Sequence, residues 1–162
     1  MSARIESGYA VGCIGRIVQL HADFYSQLVG FGLPFEAKVA RELVQFCDGF
    51  DPERDGLWLA TMGGVVHGSI AIDGSHADTE GAHLRWFITS DALRGQGMGS
   101  QLITQALDFC NAKGYKRMYL WTFDGLGAAR HLYEKHGFKL VHEEVGTMWG
   151  GEVREQRFER IV

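Results

Sequence analysis

Arg94-Gly95-Gln96-Gly97-Met98-Gly99 sets three glycines at alternate positions just ahead of a helical stripe of Leu102, Ile103, Ala106, Leu107 and Cys110. Glycines in a loop that opens a helix let backbone N–H groups approach a ligand. Those unpaired donors, backed by the helix dipole, form an anion site, so a phosphate or pyrophosphate is the expected ligand. Arg94 adds a mobile positive charge at the loop entrance. The glycines fall at 95, 97 and 99, which fits neither G-x-G-x-x-G nor a P-loop, since no Gly-Lys-Ser/Thr follows. Just upstream, His83 to Thr89 alternates as a strand, with His83, Arg85, Phe87 and Thr89 on one face and Leu84, Trp86 and Ile88 on the other. A polar pair, His83 and Arg85, on a central strand should face a cleft. There a histidine titrating near neutrality could take a proton from a substrate, directly or through water. Otherwise it is a solvent-exposed histidine at a loop end. Glu80 is a weaker candidate for the same task. Arg85 could hold a substrate carboxylate or pair with an acidic neighbour.

The elements that must position these residues can be read along the chain. Met1 to Gly8 is a loose start or a short first strand. Ile14, Ile17, Val18, Phe24, Tyr25 and Leu28 give helical spacing from about Cys13 to Leu28. Gly30 and Gly32 break that helix, and Pro34 suits the first turn of a second, whose stripe is Phe35, Val39, Leu43, Phe46 and Cys47. A polar turn at 51–56 precedes a strand from Leu57 to Met62, a Gly63-Gly64 turn and a partner strand from Val65 to Ile72. A loop at 73–81 leads to the His83 strand, and the turn Ser90-Asp91-Ala92 leads to the glycine loop. Lys113-Gly114 stops the helix that follows. A strand at Met118–Thr122, a helix from Gly127 to His136 and a strand from Phe138 to Val145 come next. Gly150-Gly151 suggests a last hairpin returning through Val153 to Ile161. The fold class expected is α/β with a mixed α+β sheet, in one domain spanning 1–162.

With the strand before it, the glycine loop fits R-x-x-G-x-G and resembles the acetyl-CoA loop of the GCN5-related N-acetyltransferases (GNAT). A second segment, Ala129-Arg130-His131-Leu132-Tyr133-Glu134-Lys135-His136-Gly137-Phe138, resembles that family's A-x-x-L-Y-E-K-x-G-F signature. Two such segments in the right order are far more specific than one, and the resemblance runs from about Leu57 to Leu140. It implies the acyl-CoA N-acyltransferase fold, whose fourth and fifth strands splay apart to admit the cofactor. It also assigns cofactor contacts to Phe87, Ile88, Thr89, Arg94, Gly95, Gln96, Gly97, Met98, Gly99, Ser100 and Ala129. In the family the residue matching Tyr133 commonly protonates the departing CoA thiolate. A phenol with an ordinary pKa of about 10 keeps its proton for that purpose. Some members place a glutamate base where His83 falls. If His83 is the base, kcat/KM should rise through an apparent pKa of about 6 to 8. One departure is Leu126, where the family often has a cofactor-contacting asparagine. Asp124 could stand in for it in part, although a carboxylate near phosphates is unfavourable.

The segment HADFYSQLVGFGLPFEAKVARELVQFCDGFDP resembles the acetyltransferase domain that some bacterial proteins carry behind a MarR-type DNA-binding domain. No such domain precedes it in this sequence, so a free-standing relative is expected. His21, Tyr25 and Phe35 lie in the helices that usually shape the acceptor pocket in this family, though an aromatic stripe is more often core. Trp149 could cap the acceptor site or cover an edge strand.

Hydrophobic residues make up 46% and charged residues 22%, ordinary values for a globular chain, and a net charge of −4 gives no reason to expect nucleic acid or membrane as a partner. No apolar run is long enough to span a bilayer, no leader is visible, and a cytoplasmic location follows. Cys13, Cys47 and Cys110 form no ligand pair and their odd number argues against a disulfide framework, so buried free thiols and no metal are expected. The expected function is transfer of an acetyl group from acetyl-CoA, as cosubstrate, to a primary amine of a small molecule or amino acid by direct attack. The assembly is open, a homodimer included. The alternatives are a non-catalytic acyl-CoA-binding or sensor module, and a protein N-acetyltransferase.

Overall fold

Leu57 and Leu59 point to one side of their strand and Trp58 and Ala60 to the other, and all four are buried. A strand apolar on both sides must be covered on both sides, and that requirement organises the molecule. The computed structural model describes residues 2–162, so the expectation for Met1 lies outside the described residues. In order, the elements are β1 (Arg4–Ser7), α1 (Cys13–Val29), α2 (Leu33–Asp48), β2 (Gly56–Met62), β3 (Val65–Asp73), β4 (Ala82–Thr89), a 3₁₀ turn (Asp91–Leu93), α3 (Met98–Lys113), β5 (Arg117–Phe123), α4 (Gly127–Lys135), β6 (Lys139–Gly146) and β7 (Val153–Ile161). They form one seven-stranded mixed sheet in the order β1-β2-β3-β4-β5-β7-β6. The first segment is therefore a short strand, paired antiparallel with β2.

Helices α1 and α2 cover one face of the sheet, with Ile17, Phe35, Leu43 and Phe46 packed on Leu57, Leu59, Ala71, Trp86 and Ile88. Helices α3 and α4 cover the other, with Leu102, Ile103, Ala106 and Tyr133 packed on Trp58, Ile70, Ile72 and Leu120. Neither core reaches β6, which is almost wholly exposed at the sheet's edge. Among the described residues no helix is long and apolar enough to cross a membrane. Cys13 and Cys110 are buried free thiols, whereas Cys47 is only half-buried at the end of α2.

Two irregularities in the sheet make the site. The parallel strands β4 and β5 pair only at Ala82 with Met118 and His83 with Tyr119, and then diverge. On its other edge β5 pairs with β7 along its whole length, Arg117 to Phe123. The sheet is thus split down its middle, as the splayed strands of the resemblance imply.

The second irregularity is a β-bulge. Ser69 faces Ile88 and Ala71 faces Arg85, so Trp86 and Phe87 together oppose Ile70. Trp86 takes φ +49°, a conformation a bulky residue rarely adopts. It is held there from three sides. The Ser69 hydroxyl donates to the Trp86 carbonyl at 2.6 Å, the Trp86 ring packs 5.4 Å from Phe46, and the Arg85 guanidinium lies 4.2 Å over that ring. The extra residue exchanges the two faces of the strand. Leu84 belongs to the α3 side, whereas Trp86 and Ile88 belong to the α1/α2 side, and Phe87 packs on the α3 core. The regular alternation expected across His83–Thr89 is corrected accordingly: Arg85 does not share a face with Phe87.

Candidate active site

The 3₁₀ turn Asp91–Leu93 delivers the chain to α3 through Gly95 (φ +78°) and Gly97 (φ +67°), the latter the residue before the helix. These left-handed turns need glycine. No side chain caps α3. The N–H groups of Gly97, Met98, Gly99 and Ser100 find no carbonyl partner, and the first helical bond is Gln101 N–H to Gly97 O at 3.1 Å. A Cβ placed on Gly95 or Gly97 would meet nothing within 4 Å, whereas one on Gly99 would press on Leu132 at 3.2 Å. Four free amides, open space before them and a helix dipole behind them fit a diphosphate-sized anion. The Arg94 side chain is exposed and turned back to Asp91 at 2.9 Å. Gln96 is committed elsewhere: its carboxamide bonds to Ala3 N–H at 2.9 Å and to Met62, and its own N–H donates to the Leu93 carbonyl at 3.2 Å.

Beside this loop the split in the sheet opens into a cavity of about 540 Å³ that passes from one face of the sheet to the other. That volume suits a small-molecule site. On the α3/α4 side its walls include Phe87, Thr89, Ala129, Leu132 and Tyr133, and on the α1/α2 side His21, Tyr25, Phe35, Lys38, Glu42, Trp86 and Trp149. His83, Arg85 and Ile88 line it as well, and the Arg94–Ser100 loop lies outside the lining. Thus the cavity gathers His83, Phe87, Ile88, Thr89, Ala129 and Tyr133 in one place, while the glycine loop forms a separate surface next to it. Gly99 joins the two, lying against the Phe87 and Thr89 side chains.

Tyr133 is buried on α4, 5.9 Å from the Phe87 ring and 6.1 Å from Phe158. Burial drives its pKa well above the phenol range, and the Tyr25 phenol across the gap adds to the effect. Tyr25 itself is pushed up to about 12 by burial. Both phenols therefore hold their protons at any working pH. His83 stacks on Tyr119 with ring centres 4.4 Å apart. Burial above all, then Arg85, lowers its pKa to about 3, with Asp73 opposing and Arg157 reinforcing the drop. It is a neutral imidazole near pH 7, not a group titrating there. His21 is similar: Nδ1–H donates to the Ile17 carbonyl at 2.8 Å, and burial lowers its pKa to about 4. Its Nε2 is left as an acceptor, and the ring lines the cavity. Glu80 is exposed and outside the lining.

Arg85 pairs with Glu42 on α2, which also takes Lys38 at 2.6 Å. The acidic neighbour of its two readings is present, and it occupies one guanidinium nitrogen, Nη2. Glu42 and Lys38 carry no sign of a site in the sequence beyond i,i+4 spacing on a helix flank. Only the register of α2 above β4 turns that ordinary helix pair toward a cavity. Trp149, 5.5 Å from Phe123, lines the cavity on its α1/α2 side. Leu126 immediately precedes α4 and lines the cavity, while Asp124 lies in a neighbouring cleft with Arg130 and Gln156.

Comparison with known proteins agrees with this architecture. The family model described as "Acetyltransferase (GNAT) family" matches residues 14–138. The N-acetyltransferase YhbS of Escherichia coli K-12, itself named as uncharacterized, is 32% identical over 122 residues. That match covers 72% of this chain and 66% of YhbS, just under two thirds of the relative. Among solved structures, an acetyltransferase from Streptococcus agalactiae superposes with a TM-score of 0.79 at 18% identity, covering 100% of this chain and 99% of its own. The yncA protein of Salmonella typhimurium, solved with its cofactor acetyl-CoA, gives 0.75 at 14% identity, covering 99% and 94%. At such identities the two structures show the fold alone.

Proposed function

The chain belongs to the acetyltransferase (GNAT) family, and from that premise we propose that it moves an acetyl group from acetyl-CoA to the primary amine of a small molecule by direct attack. One observation carries the reading. The gap between β4 and β5 continues as a single cavity from the glycine-loop side to a separate aromatic chamber, with a protonated tyrosine at the crossing. A donor and an acceptor can enter from opposite faces and meet there.

Acetyl-CoA, when bound, supplies the thioester. The free amides of Gly97–Ser100 hold its pyrophosphate, with Arg94 swinging from Asp91 to assist. Backbone groups of Phe87, Ile88 and Thr89, on the edge that β5 leaves open, hold its arm and polarise the acetyl carbonyl. The amine nitrogen bonds to the carbonyl carbon as the carbon–sulfur bond breaks, and Tyr133 gives its proton to the sulfur. The proton lost by the amine passes through neutral acceptors on the chamber wall, His21 Nε2 and His83, and replaces the one that Tyr133 gave up, restoring the phenol. Residues 1–162 act as one domain in this account, and direct attack with donor and acceptor bound together calls on no metal.

The test is a panel of amines and amino acids with acetyl-CoA, reading released thiol, beside a melting curve with and without CoA. Thiol release with one amine and a higher Tm with CoA are expected. No release from any amine, with a CoA-dependent shift intact, would instead indicate a binding module.

A further inference from the structure

The acceptor chamber has a charge pattern that its walls do not explain. Its body is aromatic: Tyr25 lies 5.1 Å from Phe35 and 5.7 Å from Phe123, which lies 5.5 Å from Trp149. Into this apolar space project three charged side chains, Lys38, Glu42 and Arg85. Both oxygens of Glu42 are occupied, one by Lys38 at 2.6 Å and the other by Arg85. Each cation gives the carboxylate one contact, so the ammonium keeps two of its three N–H groups and the guanidinium most of its five. The cluster therefore carries one surplus positive charge, and its spare capacity is all donor. Neighbouring charges leave that balance in place. The Asp73 carboxylate near Arg85 is held by Ser75 N–H at 3.0 Å and Ser75 Oγ at 2.7 Å, and Arg157 on β7 is paired with Glu159 at 3.1 Å; neither lines the cavity.

A chamber of this kind repels a second cation and attracts an anion. It offers ring faces to a flat apolar body. Resting on the acetyltransferase reading, we propose that the acceptor is an amine carrying both an aryl group and a carboxylate, the chemistry of an aromatic α-amino acid. Its carboxylate sits against the spare donors of Arg85 and Lys38, and its ring among Tyr25, Phe35, Phe123 and Trp149. Glu42 is then a positioning residue. It fixes the two cations and takes no part in binding the amine.

The experiment compares L-phenylalanine, 2-phenylethylamine, which lacks the carboxylate, and spermidine under one set of conditions, reading thiol release per neutral amine. Phenylalanine should exceed phenylethylamine in kcat/KM by at least about tenfold, the worth of one good charge-assisted contact, with spermidine inactive. Arg85→Gln should collapse that ratio by raising KM for phenylalanine, and Arg85→Lys should restore part of it. Lys38→Gln, on the accessible flank of α2, should lower the same ratio without the folding risk of stranding Glu42. Preference for phenylethylamine or spermidine, or a ratio that survives both Arg85→Gln and Lys38→Gln, overturns the inference and leaves the acetyltransferase intact. Thiol release from none of a broad amine panel, with CoA still raising Tm, overturns both together.

Discussion

Tyr133 and Tyr25 present two protonated phenols on opposite sides of the split sheet, and only Tyr133 stands on the helix beside the glycine loop. Tyr133→Phe removes one oxygen and keeps the ring against Phe87, Phe138 and Phe158. Tm and CoA affinity should stay near wild type, while kcat falls on the order of 10²-fold through loss of a positioned acid. A wild-type rate in Tyr133→Phe would reduce the tyrosine to packing. The depressed pKa of His83 changes what a pH profile should show. With an imidazole pKa of about 3, no limb of kcat/KM near pH 6–8 can belong to this residue. The rising limb should instead track the ammonium pKa of whichever acceptor is used, and acceptors of different basicity should shift it. A limb fixed near 6.5 for all acceptors and lost in His83→Ala would reverse that assignment. The sequence shows His83 beside Arg85 but not the closure of Tyr119, Arg157 and Asp73 around it, because those groups come from three other strands.

At the level of elements, α3 and its glycine loop were the most legible, since local chemistry decides them. A left-handed residue before a helix demands glycine, and the apolar stripe demands the helix. Gly97→Val places a β-branched residue at φ +67° and directs it into the space before the free amides. It should cost about 1–2 kcal/mol of stability. It should also abolish the CoA-induced stabilisation, which for the wild type reaches about 2.7 kcal/mol at a hundredfold excess over Kd. Retention of the full shift in Gly97→Val would move the pyrophosphate elsewhere. Strand β4 was legible as a strand yet misread in its facing. A two-residue period presumes an unbroken ladder, and nothing in Trp86-Phe87 announces that both will oppose Ile70. The bulge depends on two partners distant in the chain, Ser69 and Phe46, as well as on the guanidinium of the adjacent Arg85. Ser69→Ala removes the bond to the Trp86 carbonyl and leaves that buried acceptor short of a donor. Stability should drop by about 1–3 kcal/mol, and activity should fall with it as Arg85 and Phe87 lose their places on opposite faces. An unaltered Tm and rate would mean that packing alone holds the bulge.

Across the whole molecule, the order of helices and strands could be read from the sequence because the larger elements bury apolar stripes and glycine-rich turns punctuate the rest. The separation of the sheet could be expected only through the family resemblance, since it is defined by pairs that fail to form. Burial of His21 and His83 also sets a property of the fold in acid. Each binds fewer protons folded than unfolded between its lowered pKa and the ordinary 6.5. Their contribution is complete above about pH 6.5 and is lost as pH falls toward about 4 for His21 and about 3 for His83. Each such proton gives a slope of about 1.4 kcal/mol per pH unit within its window. Urea unfolding at pH 7 and pH 5 should show this loss, and His21→Gln should reduce it. An equal loss in His21→Gln would place the acid sensitivity elsewhere. The divergence of β4 from β5 after His83 and Tyr119 has one more consequence. Amides of both strands that point into the opening have no partner strand to shield them, although they lie mid-sheet between the β3–β4 and β5–β7 ladders. In deuterated water they should label within the time that edge strand β6 does, far ahead of their β3- and β7-facing neighbours, and a bound pantetheine arm should slow them by acting as the missing strand.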